Sequence, residues 1–175
     1  MKLIIFLGVF IAVSGFIGLQ NSEITVSKPA DDWDLPEGTY YILSKAGANK
    51  YLDVSWSCKD EPNCKVQLWS LGSTTTNDKW VIKRAGLPLV SPYTLKSVCN
   101  NKYLTGIGDD NGDGLDVQAR LGLTDSWRGR QEWRFKFVNS AYGAEGVFKI
   151  YNDVKKKYLD VVNGCVNENG CKMQV

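Results

Sequence analysis

Lys50-Tyr51-Leu52-Asp53-Val54, Lys102-Tyr103-Leu104-Thr105-Gly106 and Lys157-Tyr158-Leu159-Asp160-Val161 are three versions of one phrase, and they decide the fold. Each follows a run rich in aromatic and branched residues: Gly38-Thr39-Tyr40-Tyr41-Ile42-Leu43-Ser44, Pro92-Tyr93-Thr94-Leu95-Lys96-Ser97 and Gly146-Val147-Phe148-Lys149-Ile150-Tyr151-Asn152. The three tyrosines are 52 and 55 residues apart. A period of this length marks a repeat architecture, in which each copy is one supersecondary unit that buries its apolar face only against its neighbours. The register extends beyond the phrase. Cys58 falls five residues after Asp53, and Cys165 five after Asp160. Cys64-Lys65-Val66-Gln67-Leu68-Trp69 matches Cys171-Lys172-Met173-Gln174-Val175, while Asp116-Val117-Gln118-Ala119-Arg120 fills the same place in the middle copy without cysteines. The first two copies close on a tryptophan-led strand, Lys79-Trp80-Val81-Ile82 and Glu132-Trp133-Arg134-Phe135.

Within each copy the short alternating runs of Tyr, Val, Ile, Leu and Trp read as strands. The segments between them, Ala46-Gly47-Ala48-Asn49, Asp110-Asn111-Gly112 and Asn167-Glu168-Asn169-Gly170, are turn chemistry. Outside the first 20 residues no stretch of ten or more has a helical period. The chain is therefore predicted to be all-β. Four short strands per copy and three copies predict a closed barrel capped by hairpins, which leaves no long open edge. Trp80 and Trp133 are expected in its shared core.

The chain begins Met1-Lys2 and continues apolar from Leu3 to Leu19, with a small-residue exit at Val13-Ser14-Gly15. A positive charge, an apolar run and small residues describe a secretory leader. The run is shorter than the roughly 20 residues of a spanning helix and carries glycines, which favours cleavage over a membrane anchor. Residues 1–20 are read as the leader and 21–35 as a polar linker, which makes the mature protein secreted, extracellular and without stable membrane insertion. Basic and acidic residues nearly balance, 21 against 19, and the basic ones are scattered. The one cluster, Lys155-Lys156-Lys157, reads as a solvated turn, so no nucleic-acid partner is expected. Histidine is absent, which excludes His-dependent triads, His general bases and His metal sites. There is no phosphate loop, no G-x-S-x-G elbow and no N-glycosylation sequon. No cofactor is called for.

Cys58, Cys64, Cys99, Cys165 and Cys171 lie beyond the leader. In a secreted chain they read as disulfides first. Two matching spacings of six predict two local bridges, Cys58–Cys64 and Cys165–Cys171. Cys99 is left over, either buried as a thiol or bonded to a partner outside this sequence. The spacing is not a zinc pattern.

Tyr51-Leu52-Asp53-Val54, then Val66-Gln67-Leu68-Trp69, then Asn77-Asp78-Lys79-Trp80 together resemble the ricin B-type lectin family of β-trefoils. Gln118 and Trp133 echo the pattern in the second copy, and Tyr158 to Val161 with Gln174 in the third. The resemblance covers roughly residues 36–175, as copies 36–88, 89–143 and 144–175. Gln-x-Trp itself is intact only in the first copy. The third copy reaches Gln174-Val175 where the first runs on through Trp69 and about 11 more residues to its closing strand. By that comparison the last one or two barrel strands are missing. The sequence reads as a fragment, or else another chain supplies the strand.

The resemblance implies one shallow sugar site per copy. A carboxylate accepts hydrogen bonds from neighbouring sugar hydroxyls, an aromatic ring packs on the apolar face of the pyranose, and amides satisfy the remaining hydroxyls. Copy one holds all these parts: Asp53 as orienting carboxylate, Trp69 as platform, Asn77 and Asp78 as hydroxyl partners. Gln67 either contacts ligand or braces the hairpin from inside. Copy two has Thr105, Arg120 and Arg130 at these places and is expected to hold no such site. Copy three keeps Asp160 and Gln174, and a site there needs the chain to continue. Asp109, Asn111 and Asp113 begin a calcium-loop pattern. However, position twelve is Arg120 and the flanks read as strands, so a hairpin turn is the expectation and no metal is expected.

The reading is a non-catalytic lectin module for galactose-type or related glycans and glycoproteins. With one site, avidity needs an oligomer or a further segment. The competing reading is a β-trefoil protease inhibitor, with Trp56 to Asn63 or Ser70 to Asp78 as its exposed loop. A glycosidase needs a carboxylate pair that no spacing singles out.

Overall fold

The computed structural model describes residues 2–7, 10–14, 35–46, 49–58, 60–72, 75–86, 92–108, 116–122, 128–142, 145–162, 165 and 167–175. Copy one folds as β3 (Gly38–Ser44), β4 (Lys50–Val54), β5 (Asn63–Ser70) and β6 (Lys79–Arg84). Copy two repeats this as β7 (Tyr93–Ser97), β8 (Tyr103–Gly106), β9 (Val117–Arg120) and β10 (Trp133–Tyr142). Copy three supplies β11 (Glu145–Asn152), the short β12 (Lys157–Tyr158) and β13 (Asp160–Val161), and β14 (Cys171–Gln174). Two strands precede them, β1 (Lys2–Leu7) and β2 (Phe10–Ser14). The period of two is visible in burial: Tyr40 and Ile42 of β3 and Trp80 and Ile82 of β6 point inward, with their neighbours partly exposed.

The pairings alone demonstrate a pseudo-threefold axis. Lys65 of β5 lies opposite Gln118 of β9, Asp116 opposite Gln174 of β14, and Lys172 of β14 opposite Gln67 of β5. Each copy's glutamine thus faces the corresponding axial residue of a neighbour, in a triangle of hairpins. Within the hairpins Asp53 faces Gln67, Thr105 faces Gln118 and Asp160 faces Gln174. The repeat register read from the sequence is the register of the structure.

Below the triangle the barrel strands pair in a circuit: β3 with β6, β6 with β7, β7 with β10 and β10 with β11. The circuit closes through β2 and β1, with β11 against β2, β2 against β1, and β1 parallel to β3. β6 stands between the first strands of copies one and two, and β10 between those of copies two and three. β1 and β2 stand in the third such place, where the sequence comparison left strands missing. Physically, the run Leu-Ile-Ile-Phe-Leu has high strand propensity, and the facing edges of β3 and β11 offer unpaired backbone groups. The segment read as a leader is thus extended and paired with β3 and β11 in this structure. Among the described residues no helix is long and apolar enough to cross a membrane.

Trp80, Trp133, Tyr40, Phe135 and Phe148 are fully buried in the core, as expected for the two tryptophans. A buried indole needs an acceptor for its N–H. Trp80 Nε1 donates to the Leu52 carbonyl at 2.8 Å and Trp133 Nε1 to the Leu104 carbonyl at 3.0 Å, the same atom of the repeated phrase in both copies. The residue before that phrase is left-handed in all three copies: Asn49, Asn101 and Lys156 have φ of 54°, 59° and 54°. Asparagine tolerates this region better than most residues.

A buried lysine then ties each copy to another. Lys50 Nζ donates to Asn169 Oδ1 at 2.6 Å, Lys102 Nζ to the Glu61 carbonyl, and Lys155 Nζ to the Gly108 carbonyl. Lys155 is 2 % exposed, so the expectation that the Lys155–Lys157 cluster is a solvated turn fails at its first member. The turn needs one long donor to reach a carbonyl of copy two. Both local disulfides are formed, with Cα–Cα distances of 5.2 and 5.3 Å for Cys58–Cys64 and Cys165–Cys171. Cys99 is partly buried and forms no disulfide among the described residues.

Candidate functional site

In the β4–β5 hairpin, residues directly opposite share a face. Leu52, Val54, Val66 and Leu68 go to the core, which sends Asp53, Gln67, Tyr51 and Trp69 to the other side. On that side lies a cavity of about 400 Å³ lined by Asp53, Gln67, Trp69 and Asn77, with Ser55, Trp56, Ser57, Gly72 and Thr75 completing the wall. Four of the five copy-one residues picked out from the sequence therefore meet around one space.

Asp53 is only 6 % exposed, and Gln67 Nε2 donates to its Oδ1 at 3.0 Å. Burial raises the Asp53 carboxyl to about 6, the Gln67 hydrogen bond pulls it back in part, and the Asp78 charge adds to the rise. Gln67 thus does both things considered for it: it lines the cavity and braces the carboxylate. Asn77 is locked across the strand end. Its carbonyl accepts from the Val54 N–H and its Nδ2 donates to the Val54 carbonyl, each at 3.0 Å. Its Oδ1 is buried with no hydrogen-bond partner among the described residues. An unmet buried acceptor is costly, and Asn77 is held at the cavity wall despite that cost. Trp69 is 43 % exposed and Trp56 60 % exposed, so two indole faces flank a recessed carboxylate and an amide.

Asp78 is elsewhere. It is 2 % exposed and does not line the cavity. Burial raises its carboxyl, while the N–H groups of its own backbone and of Gly72 and the charge of Lys79 oppose the rise. It acts on the site through its field on Asp53. The copy-two counterparts show the neutral version of this pair. Gln131 takes the place of Asp78 and donates through Nε2 to Thr105 Oγ1 at 3.0 Å. Arg120, at the place of Trp69, donates through Nε to Gln118 Oε1 at 3.2 Å. Copy two therefore offers neither carboxylate nor ring. In copy three, Asp160 Oδ1 accepts the Val161 N–H at 2.8 Å and burial raises its carboxyl, with that hydrogen bond opposing. Neither Asp160 nor Gln174 lines the copy-one cavity.

Asp109, Asn111 and Asp113 lie outside the described residues, and among those described no cluster of acidic residues, His or Cys has the makings of a metal site. Sequence reasoning missed Trp56, Ser55, Ser57, Gly72 and Thr75. Trp56 was available as a signal: an aromatic in a short turn, next to a cysteine of a local bridge. It begins a single 3-10 turn, Trp56–Cys58, which the Cys58–Cys64 bridge holds against β5.

No family model and no curated protein matches the chain. Solved structures do. A designed 3-fold symmetric protein, ThreeFoil, matches at TM-score 0.55 and 22 % identity over 71 % of this chain and 79 % of that one. The Polyporus squamosus lectin, solved with a human-type influenza-binding epitope, matches at TM-score 0.61 and 22 % identity over 81 % of this chain. The match spans 45 % of that lectin, less than half its length. The Rhizoctonia solani agglutinin matches at TM-score 0.53 and 20 % identity, over 79 % of this chain and 86 % of that one. At such identities the likeness speaks for the fold. With the threefold register of the hairpins and the barrel circuit beneath them, it establishes that the chain is a β-trefoil.

Proposed function

We propose that this protein is a secreted carbohydrate-binding module of the ricin B lectin type, seating a galactose-type or related sugar in the copy-one cavity. One observation carries the reading: a buried, braced carboxylate, the Asn77 amide residue and the exposed Trp69 ring converge on a single cavity. Asp53 accepts adjacent hydroxyls of the sugar, and Trp69 carries the apolar face of the ring. The recurrence of lectins among the structural neighbours supports the same class. The module acts by binding alone. Hydrolysis of a glycosidic bond needs two carboxyls flanking it, and Asp53 is the one carboxylate lining this cavity among the described residues.

The test is glycan-array binding of the folded protein, wild type beside Asp53→Ala. Binding to galactose-terminated glycans that vanishes in the variant is the expected result. A folded wild type that binds no glycan sinks the reading, and inhibition of proteases through the stapled Trp56–Cys58 turn becomes the next assay.

A further inference from the structure

A second cavity, about 390 Å³, opens on the pseudo-threefold axis. Its polar lining includes Lys65, Asp116 and Lys172, the three axial residues that occupy equivalent places in the three copies, together with Asn63 and Gln118. Its wall also includes Ser55 and Ser57, which line the copy-one cavity on their other side. The two hydroxyls sit 2.9 Å apart and form a polar saddle between the two spaces. Two ammonium groups against one carboxylate leave the axial cavity with one net positive charge. Lys172 pairs with Asp116 at 2.5 Å, and Lys65 donates to the Gly170 carbonyl at 2.7 Å. An ammonium has three N–H donors, so each lysine keeps donors for a ligand after making its described contact.

From this we infer that the axial cavity is a seat for an anionic substituent, a carboxylate or a sulfate, on the glycan whose neutral sugar occupies the copy-one cavity. The neutral half of this arrangement rests on the lectin reading; the anion seat does not. A chain leaving Trp69 crosses the Ser55–Ser57 saddle and meets Lys65 and Lys172. Asn63 and Gln118 supply amide donors beside them. Asp116 sets the strength of the seat, because it engages one of its two cations. The preference for charged glycans is therefore built into residues that the single-copy sugar site does not use.

The experiment titrates the full chain with lactose, with lactose sulfated on its galactose, and with a galactosyl-glucuronic acid disaccharide. Inorganic sulfate is followed separately by amide NMR. The anionic disaccharides should bind about five-fold tighter than lactose at low salt, the upper end for a solvent-exposed ion pair. The advantage should fade as salt shortens the screening length. Whichever of the two is favoured identifies the anion as sulfate or carboxylate. Lys65→Gln with Lys172→Gln should erase the preference and leave lactose binding intact, whereas Asp116→Asn should widen it. Sulfate alone should shift the amides of Lys65, Gln118 and Lys172. If lactose binds and charge adds nothing, or the preference survives the double substitution, the inference is overturned and the sugar site stands. If sulfate shifts those amides but no disaccharide binds, the lectin reading fails and the anion seat stands. Silence in both titrations removes both.

Discussion

Replacing Asp53 by Asn should make the protein more stable at neutral pH while weakening the sugar binding proposed for it. Burial holds the Asp53 carboxyl at about 6 instead of the ordinary 3.8. The folded state therefore grips this proton more tightly than the unfolded chain does. Stability is lost as pH rises between about 4 and 6, and the full cost of the buried charge is present above 6. At about 1.4 kcal/mol per pH unit, the difference amounts to roughly 3 kcal/mol at pH 7.5, taken as a ceiling. Asn at this position keeps an oxygen to accept the Gln67 N–H, sheds the charge, and ends the repulsion with Asp78. Copy two already shows a neutral pair at these places, Thr105 with Gln131. The assay is urea unfolding of wild type and variant across pH 4 to 7.5. Taking the difference between the two proteins cancels the contributions of the other carboxyls. The gap should favour the variant above pH 6 and close towards pH 4. Binding should behave oppositely. The variant should lose at least about tenfold in affinity at pH 7.5, and the wild type should weaken as pH falls through 6, because a charged acceptor makes the stronger hydrogen bonds. A gap that does not change with pH, or a variant less stable than wild type at pH 7.5, would refute the reasoning.

Trp69→Ala should cost only about 1 kcal/mol of stability yet abolish glycan binding, because Trp69 lies at the cavity rim, 43 % exposed, and outside the core. Trp80→Ala, in the closed core, should cost about 3–5 kcal/mol; chemical denaturation beside a glycan array separates the two. Lys102→Ala leaves the Glu61 carbonyl without its buried donor and should cost about 1–3 kcal/mol, with faster hydrogen exchange in the β4–β5 hairpin. Replacing Cys58 and Cys64 together by Ala opens a short loop and should cost about 2 kcal/mol on a chain-entropy basis. It should also weaken glycan binding, because the bridge holds the turn carrying Trp56, and calorimetry with and without ligand reads both effects.

The sequence alone was enough for the repeat, its register, the two disulfides and four of the residues that line the copy-one cavity. The reason is that each of these is local or repeated. Six residues separate the bridged cysteines, and Asp53 and Gln67 face each other across one hairpin. The three copies must also present the same faces to one axis, so the pattern of Lys-Tyr-Leu and closing Trp is written repeatedly. What depended on contacts between copies was not legible. Lys50 reaches Asn169 across 119 residues, and Lys155, part of a cluster that reads as solvated, is buried against Gly108. Asp78 sits beside Asn77 in the sequence but does not line the cavity, because the chain turns through these two residues just before β6. Lys65, Asp116 and Lys172 hold one place of the repeat, and only closure of the hairpin triangle gathers them at one cavity. The pairing of β1 and β2 with β11 and β3 is of the same kind. By composition that apolar run reads as a leader, while its place between two strand edges exists only once the rest of the barrel has formed. Local chemistry and repetition thus determined what the copies are; the closing of the three copies about their axis decided what they share.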